Sequence, residues 1–196
     1  MYREFFYEKT PPTSVLALDG MADRGVLIDS ISKRYSACGA RIGALITRNR
    51  DLSNAFLRLG QARLCPPTLE QVGALRLLAL GPDYHAGVQR EYRMRRDAVV
   101  DALQAMPGVL CERPAGAFYV MARLPVDDTE DFARWMLTSF ADRAETVMVA
   151  PGPGFYATPG AGHDEIRIAY VLEVPKLKRA MELLQKGMET YAARTS

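Results

Sequence analysis

The sequence is poor in the residues that build disulfide frameworks and metal sites. Its 196 residues include three cysteines, Cys38, Cys65 and Cys111, and two histidines, His85 and His163. The cysteines are odd in number and far apart, with no Cys-x-x-Cys spacing, and the histidines have no partner ligands at metal-binding spacing. We therefore expect neither a disulfide framework nor a bound metal, and reduced thiols favour a cytoplasmic protein.

Long apolar runs and an excess of one charge are also missing. No run approaches the roughly 20 apolar residues that span a bilayer, and residues 1–9 interleave charged with aromatic side chains, unlike a secretory signal. The 25 basic and 23 acidic residues leave a formal net charge of +2. This balance gives no reason to expect a nucleic acid or an anionic membrane as a partner. Repeats and heptads are absent, which excludes solenoids and coiled coils.

The first part of the chain alternates short apolar runs with turn residues. These runs predict four strands, over residues 2–7, 15–18, 26–31 and 45–47. A helix is predicted from Asp51 towards Gly60, and a second after Pro66-Pro67, where Thr68 and Gln71 resemble a capping box. The first part is therefore expected to be α/β.

The second part begins with a long helical period. Apolar residues recur at helical spacing from Pro82 to about Met106, and Pro107-Gly108 ends the pattern. The remaining patterns predict strands over 109–111, 117–121, 147–150 and 166–171 and helices over 129–140 and 174–191. We predict a domain boundary at the long helix. Residues 1–81 are then the end of a larger sheet domain, and residues 82–196 form the long helix and a smaller α+β domain.

A segment rich in hydroxyl groups and glycine surrounds Lys33, between two of the predicted strands. Ser30, Ser32 and Arg41 are its neighbours. Hydroxyl groups and the fork of an arginine bind phosphate oxygens. A lysine near other cations has a lowered proton affinity, as an imine-forming lysine needs. The spacing by itself leaves a second interpretation open, in which Lys33 and Arg41 are surface charges of a polar loop.

This segment resembles the pyridoxal-phosphate lysine signature of the class I/II aminotransferases, the aspartate aminotransferase family of fold type I. The matching residues are Ser30, Ser32, Lys33, Gly39, Arg41 and Gly43. Three more stretches resemble the family in its order, namely 2–4, 116–119 and 165–168. The resemblance covers essentially the whole chain. It implies the end of the large cofactor-binding domain, followed by the small C-terminal domain.

The resemblance implies a role for the residues around the lysine. Lys33 matches the residue that anchors the cofactor covalently and acts as the general acid and base. Ser30, Ser32 and Arg41 match contacts to the cofactor's phosphate, with Arg41 suited to bidentate binding. Pyridoxal 5'-phosphate is therefore the expected cofactor.

Two residues outside this segment match further parts of the family's site. Tyr2 matches the tyrosine that donates to the cofactor's phenolic oxygen. Arg167 matches the arginine that binds the substrate's α-carboxylate and orients it for proton removal. Without the family, an arginine that alternates with Ile166 and Ile168 reads as the outward charge of a half-buried strand. With it, the expected reaction is amino transfer between an amino acid, aspartate or a related one, and a 2-oxo acid.

Several parts of the family's site have no counterpart in this sequence. The carboxylate that pairs with the pyridine nitrogen would stand three residues before Tyr2, upstream of Met1. The glycine-rich phosphate turn, the ring-stacking aromatic and the tyrosine contributed across the dimer are also absent. The resemblance thus implies a C-terminal half. We expect impaired activity from it alone, and a partner that is either a second copy in a homodimer or a missing N-terminal half.

Other classes of protein remain open at this point. One is a non-catalytic, aminotransferase-like interaction or sensor module, although no helix-turn-helix segment is present. Another is a different fold type I enzyme, such as a lyase or a decarboxylase. The arginine at position 167 favours a substrate that keeps its α-carboxylate, and so favours amino transfer over decarboxylation. The substrate's side chain cannot be read from these residues.

Overall fold

The chain folds into two compact units, and the boundary between them falls within its longest helix. A computed structural model describes residues 2–195, and the units comprise Met1–Gln89 and Arg90–Ser196. None of the helices within the described residues is long and apolar enough to cross a membrane.

The first unit combines a two-stranded antiparallel sheet with helices. Its elements are β1 (Val26–Ser30), α1 (Ile31–Arg34), β2 (Gly43–Thr47), α2 (Arg50–Arg63), α3 (Thr68–Leu78) and the start of α4 (Pro82–Ala105). The register of β1 and β2 places Ser30 opposite Gly43. The two strands therefore enclose the segment that contains Lys33. A small core lies beneath this segment, formed by buried Ile31, Tyr35 and Ala74.

Two of the predicted strands are wrong. Residues 2–5 form a turn in which the Phe5 N–H donates to the Tyr2 carbonyl at 2.8 Å, and Phe6 makes an isolated β-bridge instead of a continuous strand. Val15–Ala17 is a single turn of 3₁₀ helix, and the hydroxyl of Ser14 accepts from the Leu16 N–H at its start. Alternating apolar residues report burial, but they do not show whether the backbone will find a strand to pair with. Residues 2–7 therefore contain no continuous strand, and the backbone of residues 14–17 is bonded locally.

The predicted caps of two helices also need correction. The N-cap of α2 is Asn49, whose side chain accepts from the Leu52 N–H at 3.0 Å. The capping box expected at the start of α3 does not form. Its N-cap is Pro67, and the Gln71 amide instead donates to the Pro66 carbonyl at 2.7 Å. A proline at the cap has no side-chain oxygen, so the helix start is bonded through its backbone carbonyl.

The second unit is a four-stranded antiparallel sheet with helices, as the predicted α+β class requires. Its elements after α4 are β3 (Leu110–Cys111), β4 (Tyr119–Arg123), α5 (Thr129–Thr138), β5 (Ala150–Pro151), β6 (Glu165–Ala169) and α6 (Val174–Thr195). The strand order is β3-β4-β6-β5. The largest fully buried side chains of this unit are those of Tyr170, Phe132, Leu103, Met136, Ile166 and Leu184.

The two faces of this sheet differ in burial. Ile166 and Ile168 on β6 face the core, and Arg167 between them lies on the opposite face, half-buried. Strand β4 alternates in the same way, with Val120 buried. Side chains of a strand point alternately to the two faces of the sheet. Arg167 and its neighbours are therefore separated from the apolar core.

Helices α5 and α6 pack closely at Gly187. A Cβ atom added at Gly187 would lie 2.3 Å from the sulfur of Met136, a side chain that is 1% exposed. We predict that Gly187→Ala lowers the free energy of unfolding by about 1 kcal/mol, because overpacking outweighs the better helix propensity of alanine. Chemical denaturation followed by circular dichroism provides the measurement.

Gly73→Ala is the matched control. Gly73 is also within a helix, α3, but an added Cβ would meet no atom within 4 Å. It should stabilise the chain by about 0.5–1 kcal/mol. Equal stabilisation by both substitutions would contradict the close packing of α5 against α6.

Candidate active site

Lys33 lies on a single helical turn that directly follows a strand. The turn, α1, begins at Ser30, whose hydroxyl oxygen accepts from the Ser32 N–H at 3.1 Å. The same oxygen lies 2.8 Å from the Ser32 hydroxyl and 3.0 Å from the Ile42 carbonyl. Ser30 has one hydroxyl proton, which it can donate either to Ser32 or to Ile42. The two hydroxyl groups are thus fixed at the start of the turn, and Lys33 is half-buried beside them.

The backbone after Lys33 contains unfavourable conformations. Ser36 and Arg41 both have positive φ, 51° and 55°. A non-glycine residue in this region costs roughly 1–2 kcal/mol, and such strain is often found at functional sites. Arg41 is exposed, and its Nη1 donates to the Cys38 carbonyl at 2.8 Å. Its other N–H groups form no bond with the described residues, so they remain available to an anion.

A glycine permits the close approach of β2 to β1 at this point. A Cβ atom added at Gly43 would lie 2.9 Å from the Asp29 carbonyl oxygen, which is shorter than a normal contact. The close approach of the two strands therefore brings Arg41, two residues before Gly43, near the start of the segment that contains Lys33. The sequence analysis named Gly43 for its match to the family, and the structure supplies a packing reason for it.

Asp29 and Arg34, which flank Lys33 in the sequence, form an ion pair. Arg34 is 7% exposed, and its Nη2 is 2.8 Å from the Asp29 carboxylate. Burial alone would raise the pKa of Asp29, but the bond from the Ser30 N–H and the charges of Arg34 and Arg3 keep this pKa below its usual value. This pair was not predicted from the sequence, because a spacing of five residues across a helix cap is not a helical signal.

Tyr2 lies on the N-terminal turn of the same unit. Its ring packs edge-to-face on Phe5, with centroids 6.4 Å apart. Two ion pairs place this turn beside the Asp29–Arg34 pair, since Arg3 is 3.9 Å from Asp29 and Glu4 is 3.7 Å from Arg34. The first unit therefore brings Tyr2 to the same region as Lys33.

Arg167 belongs to the second unit, where two aromatic rings cover its guanidinium group. The guanidinium carbon is 4.5 Å from the centroid of Tyr119 and 4.0 Å from that of Phe155. Within residues 2–195, no carboxylate lies at ion-pair distance from Arg167. Arg95 differs from Arg167. Its guanidinium group also lies over a ring, but it donates to the carboxylate of Glu91 at 2.8 Å. Arg167 is thus a half-buried cation that offers its N–H groups to an external anion.

Tyr119 and Phe155 had no predicted role. Tyr119 stands within a stretch that resembles the family, and Phe155 directly follows a Pro-Gly-Pro-Gly turn that reads as structural. Their contact with Arg167 depends on strand register and on the path of a loop. Among the described residues, no group of three or more His, Cys, Asp or Glu side chains is suited to a metal ion.

Comparison with known proteins identifies the family. The sequence profile of the family described as aminotransferase class I and II matches residues 1–184. The chain belongs to the class I and II aminotransferases. An aspartate aminotransferase from Musicola paradisiaca is 28% identical over 200 residues, which cover 98% of this chain and 47% of the relative. The family, which uses pyridoxal phosphate, is the one predicted from the sequence.

Solved aminotransferase structures have the same fold. The aromatic aminotransferase from Pyrococcus horikoshii is 28% identical and has a TM-score of 0.82, covering 97% of this chain and 50% of that one. The α-aminoadipate aminotransferase from Thermus thermophilus is 26% identical with a TM-score of 0.84, covering 98% and 49%. The predicted fold type I class is confirmed. The chain spans about half the length of the curated relatives that it matches.

We predict that Asp29→Asn destabilises the chain by about 1–2 kcal/mol, because it leaves the buried Arg34 charge without its carboxylate. The folded-state pKa of Asp29 is lowered, so its contribution is complete above the unfolded pKa of about 3.9. It is lost as the pH falls through the lower folded-state pKa. Urea denaturation at several pH values between neutral and acid measures this effect.

Asp131→Asn is the control for this prediction. The Asp131–Arg134 pair on α5 is exposed, with side chains 62% and 70% accessible. Its loss should change stability by less than about 0.5 kcal/mol. A wild-type advantage over Asp29→Asn that does not shrink at acid pH would contradict the assigned pKa direction.

Proposed function

We propose that this chain supplies the C-terminal part of a pyridoxal-phosphate-dependent aminotransferase site, for amino transfer between an amino acid and a 2-oxo acid. One observation carries the proposal. Arg167 is half-buried and covered by two rings, and it pairs with no carboxylate of the described residues. A guanidinium group in this state is suited to the α-carboxylate common to both substrates. In this proposal residues 1–81 end the large cofactor-binding domain, and residues 82–196 form the bridging helix and the small domain.

The residues around Lys33 fit the cofactor. The Ser32 hydroxyl accepts from Ser30 and keeps its own proton. This hydroxyl, that of Ser30 and the unbonded N–H groups of Arg41 are groups of the kind that bind a phosphate. Pyridoxal phosphate supplies an aldehyde that combines with amines and a ring that accepts electron density from the substrate's α-carbon. The α-aminoadipate aminotransferase from Thermus thermophilus was solved in complex with N-(5'-phosphopyridoxyl)-L-leucine. That related protein therefore binds a phosphopyridoxyl group.

Each proposed residue has a separate task. Lys33 Nζ would hold the cofactor through its aldehyde carbon, and as a free amine it would carry the proton from the substrate's α-carbon. Tyr2 donates its hydroxyl proton to the cofactor's phenolic oxygen. Arg167 binds the α-carboxylate through two N–H groups and so sets the direction of the Cα–H bond. The protein thus contributes orientation, charge and a proton carrier.

Aspartate and 2-oxoglutarate are the substrates that we propose first. An aspartate aminotransferase is among the relatives, and amino acids with acidic side chains are compatible with the same arginine. Other relatives are named for aromatic amino acids and for α-aminoadipate. A panel of these three amino donors distinguishes the possibilities.

The free thiols at Cys38, Cys65 and Cys111 support a reducing, cytoplasmic setting.

We also propose that the site needs a second polypeptide or a longer chain, either as a homodimer or through an N-terminal half. Large apolar side chains on and next to α2 and α3 are more than half exposed, namely Leu57, Leu59, Leu64, Leu69, Val72, Leu75 and Leu78. Such a cluster exceeds the isolated apolar residues of an ordinary surface. Together with the chain's span of about half of its relatives, it supports a surface that is covered in the complete enzyme.

Covalent attachment of the cofactor tests the role of Lys33. We expect that pyridoxal phosphate followed by borohydride labels the wild-type chain at Lys33, as measured by intact mass and peptide mapping. Lys33→Ala should lose this label. Lys178→Ala, a substitution of an exposed lysine on α6, should retain it. Equal labelling of Lys33→Ala and the wild type would overturn the assignment.

Amino transfer tests the complete proposal. The 196-residue chain should show weak or no transfer from aspartate to 2-oxoglutarate, and a chain extended upstream by its own genomic sequence should be active. In the extended chain, Arg167→Lys should raise KM about 100-fold, since a lysine cannot bind a carboxylate bidentately. Robust transfer by the shorter chain would contradict the need for a second part. An extended chain that binds amino acids without amino transfer would favour the sensor module.

A further inference from the structure

We infer that Tyr119 and Phe155 are positioning residues that order the Arg167 guanidinium group before a carboxylate binds. We call these two residues the aromatic clamp. The inference rests on the proposed role of Arg167 as a carboxylate-binding residue. It adds a cause for the orientation of that arginine, and all three residues lie in the second unit.

The strand register brings the first ring of the clamp to Arg167. Met121 is directly opposite Arg167, and Tyr119 is opposite Ala169. Tyr119 is therefore the diagonal neighbour of Arg167 on the same face of the sheet. Diagonal neighbours on paired strands are within reach of aromatic and long side chains. The observed distance of 4.5 Å from the guanidinium carbon to the ring centroid shows that this contact is made.

The second ring comes from the loop that follows β5. Ala150 on β5 is the other neighbour of Arg167 in the sheet, and its methyl group is too short to cover a guanidinium group. Phe155, five residues later, covers it at 4.0 Å. The Phe155 ring is 44% exposed, so core packing does not explain an aromatic residue at this position. Its contact with Arg167 does.

Hydrogen bonds connect this loop to β6, the strand that carries Arg167. The Gly152 N–H donates to the Glu165 carbonyl at 2.6 Å, and the Phe155 N–H donates to the Gly152 carbonyl at 2.9 Å. The Tyr156 hydroxyl donates to the Glu165 carboxylate. A Cβ atom added at Gly152 would lie 2.4 Å from the Gly162 carbonyl oxygen, so the two sides of the loop are in close contact. Glu165 is two residues from Arg167, and one strand thus sets the position of both the ring and the cation.

Stacking leaves the hydrogen-bonding edge of Arg167 available. An aromatic face interacts with the guanidinium plane, whereas a carboxylate binds in that plane through two N–H groups. A free arginine side chain loses rotamer entropy when it becomes ordered. Because the aromatic clamp orders the Arg167 side chain during folding, this entropy loss does not oppose the later binding of substrate.

The first test needs neither cofactor nor substrate. Nitrogen-15 NMR of the full chain reports the order of the Arg167 Nε–H group, and Arg167→Lys assigns its signal by removing it. In Phe155→Leu we expect a lower heteronuclear NOE and a changed ring-current shift for this signal. Phe155→Trp should preserve the order, because it retains an aromatic face.

Phe140→Leu is the matched control. Phe140 is a half-buried phenylalanine of the same unit, and its ring contacts Trp135 at 5.6 Å. This substitution should leave the Arg167 signal unchanged. An Arg167 signal equally ordered in the wild type and in Phe155→Leu would overturn the inference.

A titration with 2-oxoglutarate connects this order to binding. We expect Phe155→Leu to weaken the apparent affinity about tenfold relative to the wild type and to Phe140→Leu. Unchanged affinity with a disordered Arg167 would overturn the positioning role. If Arg167→Lys binds the probe as well as the wild type does, the proposed function of Arg167 fails. In that case the NMR comparison still decides whether Phe155 orders its side chain.

Discussion

The alternation of side chains along β6 determines the organisation of the second unit. Ile166 and Ile168 enter the apolar core, and the residue between them must face the other way. The arginine at this position is therefore attached to a rigid, buried strand and remains outside the core. A strand can present a charged group in a defined place without the cost of burying it among apolar side chains. The rings of Tyr119 and Phe155 then cover the guanidinium group. In this way the strand sets its position and the rings set its orientation.

The first unit places its functional group by a different means. Lys33 is on one helical turn between two paired strands. The Ser30 hydroxyl caps the turn, and the Asp29–Arg34 pair spans it. Two residues after the turn adopt left-handed conformations, Ser36 and Arg41. This arrangement is locally unfavourable, and the cap, the ion pair and the small core beneath the turn offset its cost.

Much of the fold followed from local patterns. Helices α4 and α6 and strands β1 and β2 were predicted near their observed positions, because periodicity and stop signals are local properties. The strand expected over residues 2–7 was wrong, since its alternating apolar side chains reflect the burial of Phe5 and Tyr7 beside a turn. The cap of α3 was wrong for a related reason. A capping box requires a side chain at the cap, and Pro67 occupies that place.

From the sequence alone we could predict the family, the outline of two parts and the residues that match the family's site, including Lys33 and Arg167. The family and the matching residues rest on the resemblance of four stretches to the family, and the two-part outline rests on the change of pattern along the chain. The groups that contact Arg167 became known only from the tertiary structure. The diagonal contact with Tyr119 depends on strand register, and the contact with Phe155 depends on the path of a loop. The Asp29–Arg34 pair was hidden for the same reason, since a helix cap changes the direction of the chain between its members. Contacts that depend on where the chain turns cannot be read from the order of its residues.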